Sequence, residues 1–364
     1  MKQSERDLGA LFDMLKGHGS VLVVIDQLYN IGALTRAVAL DRGCLVAYLP
    51  GFRMRSAADF YGSQSKTDAA DARVIARAAA DSPDKLKPIS STQTLDCETR
   101  AIISFDDDIK KECTAEQNRI RAKLSEIHPP LERVFAGQKL KSECALALLG
   151  EFGGPYGFKA AGKRKVLRFA LEHSYKTSFA ERLVDGVFEA LGEQTVEVPG
   201  SVMQEQIISH HARQISAYLK QRKNALSVLE DLLELYPGSD CLMTVPGVDT
   251  LLCAKIMVGI GGIERFDSPA KLASYAGFAP VRRESGTSIR SSHQAYRASK
   301  MLKDAMFRSA FVAANTDPQS HEYYEKKRSQ GKHHNAAVAA LARCRVNVIY
   351  SVLANRRPYV YIEP

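Results

Sequence analysis

The chain has 364 residues, 45% of them hydrophobic, and a formal net charge of +9. A chain of this size and apolar content forms two or three folded domains and is not a disordered polymer. No stretch reads as the roughly 20 continuous apolar residues of a membrane span, and Met1 to Asp13 lacks the apolar segment of a secretory leader.

The seven cysteines (Cys44, Cys97, Cys113, Cys144, Cys241, Cys253, Cys344) are dispersed with no Cys-x-x-Cys pair. That usage points to reduced thiols in a cytoplasm and away from a zinc site. His210-His211 and His333-His334 have no metal-ligand spacing and read as surface residues. The charge is unevenly placed: residues 1–90 carry 12 Lys/Arg and 10 Asp/Glu, residues 91–281 carry 23 and 25, and residues 282–364 carry 15 and 6. The basic excess is C-terminal, the electrostatic footprint of a phosphate-binding surface.

In chain order, Arg6 to Lys16 reads as an amphipathic helix. Val21-Leu-Val-Val-Ile25 is an unbroken apolar run that reads as a central parallel strand, buried on both faces and ending in Asp26. Gly32 to Leu40 reads as a crossover helix and Leu45 to Leu49 as the next strand, closed by Pro50-Gly51 and followed by a loop. Thr67 or Ser65 caps a helix over Asp68 to Ala80. Asp68 and Asp71 then lie three apart on its first turn. Two adjacent carboxylates complement a helix dipole. With Asp26 at the C-terminal end of a strand, where open α/β sheets bind ligands, they also suit a hard divalent cation such as Mg²⁺.

Ser82-Pro83 and Pro88 to Thr94 read as a polar link. Leu95 to Val134 reads as mostly helix, with Phe105, Ile109, Ile120, Leu124 and Ile127 on one stripe and a break at Pro129-Pro130. Leu140 to Gly192 holds short helices with glycine joints at Gly153-Gly154 and Gly157. Ile208 to Tyr236 carries a heptad, with Ile208, Ile215, Arg222, Leu229 and Tyr236 at a and Ala212, Leu219, Leu226 and Leu233 at d. This predicts a coiled coil, one arm of an intramolecular helical hairpin, or a long bundle helix; Arg222 is placed to fix register. Leu242 to Ile256, with Pro246-Gly247-Val248-Asp249, resembles the turn of a helix-hairpin-helix module that offers amides to phosphate, or else a helical turn packed on the core. Lys300, Lys303 and Arg308 line a helix over Met301 to Asn315. Tyr323-Tyr324, Lys326-Lys327-Arg328 and Lys332-His333-His334-Asn335 precede a last apolar helix, Ala336 to Ala354. Aromatics interleaved with cations suit nucleic acid.

Two blocks carry a resemblance to a known family. The first is Val21-Leu-Val-Val-Ile-Asp26-Gln, Val46-Ala-Tyr-Leu-Pro-Gly51 and Lys66-Thr-Asp68-Ala-Ala-Asp71-Ala. The second is Ala276-Gly-Phe-Ala-Pro280 leading into Arg282-Arg-Glu-Ser285-Gly-Thr-Ser288-Ile-Arg290. They resemble the DEDD-type insertion-sequence transposases of the one-ten family. The resemblance implies metal ligands at Asp26 (where the family usually has Glu), Asp68 and Asp71, Mg²⁺ as cofactor, and a nucleophilic serine at Ser285, with Ser288 in reserve. Arg282, Arg283, Arg290, Arg297, Lys300, Lys303, Lys326, Lys327, Arg328 and Lys332 become candidate nucleic-acid contacts.

The resemblance also implies an acidic residue on a strand upstream of Asp26. Only 25 residues precede Asp26, and they read as helix, so an N-terminally truncated chain is expected and that ligand is unassigned; Asp7 and Asp13 lie in no strand pattern. The expected fold is α/β plus α. Residues 1–90 form an incomplete RNase-H or Holliday-junction-resolvase-like domain, 91–237 a helical coiled-coil connector, and 238–364 a mainly α C-terminal domain with a helix-hairpin-helix-like segment. The expected function is DNA transposition or site-specific recombination in a bacterial cytoplasm, on the nucleoid when DNA is bound. DNA is the expected partner, with a structured guide-type RNA, a homo-oligomer, and no membrane. The alternatives are a metal-dependent junction nuclease, with Ser285 structural, and an inactive nucleic-acid-binding remnant.

Overall fold

The computed structural model describes residues 4–27, 31–49, 51–61, 67–88, 93–285, 289–294 and 299–360. It divides into two compact units, Met1–Glu98 and Thr99–Pro364.

In the first unit, helix α1 (Glu5–Lys16) starts on Ser4, whose hydroxyl accepts from the Asp7 amide at 3.2 Å. Glu5 and Asp7 in its first turn and Lys16 in its last complement the helix dipole. Strands β1 (Leu22–Ile25) and β2 (Leu45–Tyr48) are parallel, Leu22 opposite Leu45 through Ile25 opposite Tyr48, with α2 (Ile31–Asp41) as the crossover. A two-residue strand, β3 (Lys87–Pro88), pairs antiparallel with the other edge of β2. Leu8 and Phe12 of α1, Val38 and Ala39 of α2, and Ile25 and Val46 of the sheet form one apolar core.

The sheet order is β1-β2-β3, so β1 is an edge of the described sheet and not the central strand that its composition suggests. One face, with Val23, Ile25, Val46 and Tyr48, packs in the core, while Leu22 and Leu45 on the other are 47% and 65% exposed. The β-branched run reports strand propensity, which an edge strand shares with a central one. A helix, α3 (Gly51–Phe60), stands where a loop was expected. Helix α4 (Asp68–Asp81) is capped by Thr67, which accepts from the Ala70 amide at 3.3 Å. It packs against both α3 and β1.

The long helix α5 (Gln93–Ile127) leads into α6 (Pro129–Phe135). The two prolines start α6 instead of kinking one helix: they occupy its first turn, where no amide partner is needed. His128 caps it by accepting from the Leu131 amide at 3.2 Å. Burial pushes the His128 imidazole below its ordinary value, which keeps the ring neutral and the nitrogen an acceptor. Four short helices follow: α7 (Glu143–Phe152), α8 (Pro155–Ala161), α9 (Lys163–Glu172) and α10 (Thr177–Glu193).

Helix α11 (Ser201–Glu234) runs antiparallel to α5. As the chain advances through Thr99, Asp106, Glu116 and Glu126, their partners step back through Tyr236, Arg222, His211 and Gln204. His211 therefore faces α5, not open solvent. Ile208, Ala212 and Ile215 are buried in one core with α5 to α10, and Leu229 and Leu233 in a second core. The heptad positions at both ends of α11 are thus filled by this chain's own helices, as in the intramolecular hairpin. On α5, Phe105 is 44% exposed and Asp106 is buried instead.

The second core gathers α12 (Ser239–Met243), α13 (Thr250–Ile260), α14 (Pro269–Tyr275), α15 (Lys300–Thr316) and α17 (His334–Asn355). Between α14 and α15 runs a hairpin of β4 (Pro280–Ser285) and β5 (Ile289–Gln294), and α16 (Pro318–Ser329) joins α15 to α17. By length and composition α17 could cross a membrane, but half of its apolar window is buried in the protein. All seven cysteines are free thiols.

The turn from α12 to α13 faces inward. Gly247 has φ +74°, and a Cβ there would lie 2.5 Å from the Ser309 carbonyl oxygen and 2.9 Å from the Ala313 nitrogen of α15. The Pro246 carbonyl accepts from buried Arg345. Asp249 is extended, at φ −96°, and caps α13 by accepting from the Leu252 amide at 2.7 Å. The core-packed turn describes this segment, and the left-handed Asp249 of a phosphate-binding hairpin is not adopted.

Candidate nucleic-acid site

Two regions hold the residues marked by the sequence. In the first unit, Asp26 follows the last residue of β1, and Asp68 and Asp71 lie on the first turn of α4, which packs on that strand. Asp68 is exposed, while Asp26 and Asp71 are half-buried. None of the three enters an ion pair among the described residues. Among those residues, no group of three or more His, Cys, Asp or Glu side chains is gathered closely enough to hold a metal ion; the two helix carboxylates and Asp26 are neighbours by element and do not converge on one point. Their donor chemistry still fits Mg²⁺, which takes one or two hard carboxylates together with water and substrate phosphate. Ser65 and Lys66 lie outside the described residues.

In the second unit, Ser285 is the last residue of β4, opposite Ile289 of β5. Arg283 stands two places before it, with Ser291 opposite in the register. In the same register Arg282 is opposite Ser292, and Glu284 is opposite Arg290. Ser288 and Arg297 lie outside the described residues. The end of the hairpin segment is tied to α14 where the Ser299 amide donates to the Tyr275 carbonyl at 3.1 Å.

At the root of this hairpin lies a cleft of about 940 Å³, walled by the segment Gly277 to Ala279 after α14 and by residues of α15, α16 and α17. Lys303, Lys327, Lys332 and Arg343 line it, with no Asp or Glu among its described lining residues. Lys327 reaches over the Tyr323 ring, 5.2 Å from the centroid, and donates to Gln330 Oε1 at 3.1 Å. A hydrogen bond with the Cys344 thiol pushes the Tyr323 phenol up to about 12. Tyr324 and the His334 ring meet at 2.8 Å.

The other marked cations have different surroundings. Arg328 donates to the Lys332 carbonyl at 2.6 Å and so closes the loop after α16. Arg308 pairs with Asp304 at 2.8 Å. Lys300 and Lys326 are exposed and stand outside the cleft lining. The sequence reading missed Arg343, Phe278 and Phe307 as cleft residues. The signal was present: Ala336, Ala339, Ala340 and Arg343 recur at helical spacing, a stripe of small residues ending in a cation inside a helix read as apolar core.

Comparison with known proteins covers both regions. Residues 1–129 match a family described as Transposase, and residues 239–325 match one described as Transposase IS116/IS110/IS902 family. The chain is 40% identical over 354 residues to the insertion element IS110 uncharacterized 43.6 kDa protein of Streptomyces coelicolor, covering 97% of this chain and 87% of that protein. It is 30% identical to the insertion element IS900 uncharacterized 42 kDa protein of Mycobacterium paratuberculosis, covering 97% and 88%. It is also 30% identical over 128 residues to the pilin gene-inverting protein of Moraxella bovis, covering 35% of this chain and 40% of that protein. Similarity running through the carboxylate-bearing unit and into the hairpin-bearing unit makes this chain a member of the IS116/IS110/IS902 family of insertion-sequence transposases.

Proposed function

We propose that the chain cuts and rejoins DNA at the ends of its own insertion sequence, with Ser285 as nucleophile and Asp26, Asp68 and Asp71 as ligands for Mg²⁺. The observation that carries the reading is the family match across both units, with Ser285 on a two-stranded ribbon whose first strand starts next to a residue lining a cleft rich in cations. The similarity to a pilin gene-inverting protein, whose name describes a DNA rearrangement, supports rejoining over simple cutting.

In the step proposed, Ser285 Oγ attacks phosphorus. An Oγ–P bond forms as the bond from phosphorus to one sugar oxygen breaks; the serine proton passes to solvent and the departing sugar oxygen is protonated. The phosphoester retains the bond energy, so attack by a sugar hydroxyl rejoins a strand without an external energy source. Arg283 holds the phosphate and offsets charge as it builds in the transition state, and Gly286 beside the serine admits the close approach of DNA. A bound Mg²⁺ would supply charge neutralisation at phosphate oxygens. The homo-oligomer and a guide-type RNA belong to the same reading through the family resemblance.

The test is to express the chain in cells together with the DNA that flanks its own reading frame and to sequence recombined junctions. Junctions that vanish in Ser285→Ala are expected. Free cut ends in place of junctions, equally abundant in Ser285→Ala, would instead favour a metal-dependent nuclease in which water attacks.

A further inference from the structure

The cleft at the root of the hairpin has a construction that general attraction to duplex DNA does not require. Among its described lining residues four are cations and none is an acid. Among the described residues Lys327, Lys332 and Arg343 have no carboxylate partner; Lys327 and Arg343 instead donate to the amides of Gln330 and Asn347. Like charges converging on a concave surface repel and raise the local positive potential, which an entering anion relieves.

The walls are apolar. Phe278, Phe307 and Tyr323 are half-buried around the cleft, and Ala336, Ala339 and Ala340 form its floor on α17. A phosphate or sulfate needs no such surface. At about 940 Å³ the cleft is at the upper end of the size that encloses small ligands, roughly 300–1,000 Å³. A duplex keeps its bases stacked inside and offers such a cleft only its outer phosphates. A single strand can place phosphates on the cations and lay unstacked bases against the aromatic wall, the combination that single-strand grooves use.

Position adds the third argument. Pro280, directly after the lining residue Ala279, begins β4, and Ser285 lies five residues along that strand, about 17 Å at the rise of an antiparallel strand. A strand seated in the cleft is thus held within a few nucleotides of the serine.

We propose that this cleft binds a short single-stranded segment of nucleic acid, with the phosphates on Lys303, Lys327, Lys332 and Arg343 and the bases unstacked against Phe278, Phe307 and Tyr323. The inference rests on the recombinase reading only for the source of the strand, which is either DNA opened near the cut or a loop of a structured RNA. Both present the same chemistry to the cleft.

The test uses the full chain and fluorescence anisotropy with a labelled oligothymidylate of about ten nucleotides, the matching oligouridylate, and a duplex of equal length. Arg343→Gln removes a cation. Ala340→Gln and, separately, Ala336→Gln fill the floor without changing charge; Ala336 is exposed at the start of α17, so its variant keeps the test valid if Ala340→Gln disturbs folding, which circular dichroism reads. Single-strand affinity is expected to fall about tenfold in Arg343→Gln and in the floor-filling variants, while duplex affinity of the floor-filling variants stays within about twofold. Tighter binding of the deoxy oligomer assigns the strand to DNA, and tighter binding of the ribo oligomer assigns it to RNA. The proposal is overturned if the oligomers do not bind, or if floor-filling leaves their affinity unchanged while Arg343→Gln weakens it, since charge alone then accounts for binding. The assay involves no cleavage, so its failure is read separately from failure of the Ser285 assignment.

Discussion

Arg222 of α11 donates through Nε to the buried carboxylate of Asp106 on α5 at 2.6 Å. Lys110 pairs with the same carboxylate at 2.5 Å. Burial pushes the Asp106 carboxyl up, but the hydrogen bonds and charges of Lys110 and Arg222 outweigh it and hold the group below its ordinary value. Arg222 is the charged a position of the heptad, and its register partner is within the same chain. Arg222→Ala leaves the buried carboxylate with one half-exposed lysine and is expected to cost about 1–3 kcal/mol in denaturant unfolding. A folded value below the unfolded one means that the contribution is present above the unfolded value, about 3.9, and is lost as pH falls through the folded value. The gap between variant and parent should therefore shrink below pH of about 4; a gap constant from neutral to acid pH contradicts the ionic account.

Gly247 ties the α12–α13 turn to α15. Its φ of +74° and the 2.5 Å approach of the Ser309 carbonyl leave no room for a methyl group. Gly247→Ala is expected to lower stability by more than about 2 kcal/mol. If the turn faced phosphate instead, the same substitution would weaken DNA binding with little change in the unfolding midpoint, so the two measurements decide between the inward and outward turn.

For the acidic residues, Asp68→Asn and Asp71→Asn each remove one hard donor and relieve like-charge repulsion on the first turn of α4. Mg²⁺-dependent strand cleavage should be lost in each, with nucleic-acid affinity unchanged or raised. Cleavage that survives in both single variants removes the carboxylates from the metal assignment.

The C-terminal cations should act through counterion release. Lys327→Gln and Lys332→Gln, two cleft residues, should together reduce the log–log dependence of duplex affinity on salt by up to about 0.9 for each phosphate that is no longer neutralised. Arg328→Gln is expected to act on the loop that it closes through the Lys332 carbonyl, and so to change stability more than salt slope. Equal slopes in parent and double variant would mean that Lys327 and Lys332 neutralise no duplex phosphate.

Much of the first unit was legible because its signals are local. Thr67 before an alanine-rich run marks the start of α4, and the apolar strand pattern with an intervening helix marks β1, α2 and β2. What composition could not convey was neighbour count: Val21 to Ile25 looks alike in an edge strand and a central one. Helix α3 was missed because it follows Pro50-Gly51, a turn signal, and its ten residues show little apolar periodicity. Asp106 was invisible as a buried residue because its partner Arg222 is 116 positions away, and Phe105, the more apolar neighbour, took its place in the stripe. The candidate serine and carboxylates were found through motif resemblance; no spacing alone distinguishes Ser285 from a serine in any polar hairpin. The cleft depends on three helices and the segment after α14 meeting, and only the small-residue stripe of α17 hints at it.

Recombination through Ser285 requires a covalent protein–DNA intermediate, and trapping it is the most direct measurement. The full chain is incubated with Mg²⁺ and a suicide substrate nicked so that the cut strand diffuses away, then separated under denaturing conditions. A DNA-linked band should form with the parent, be mapped by mass spectrometry to Ser285, and be absent in Ser285→Ala, which still binds DNA. Arg283→Ala should reduce the adduct more than Arg282→Ala, because residues two apart on a strand share a face. Cleavage by the parent with no adduct, or an adduct retained in Ser285→Ala and lost in Ser288→Ala, would contradict Ser285 as the nucleophile.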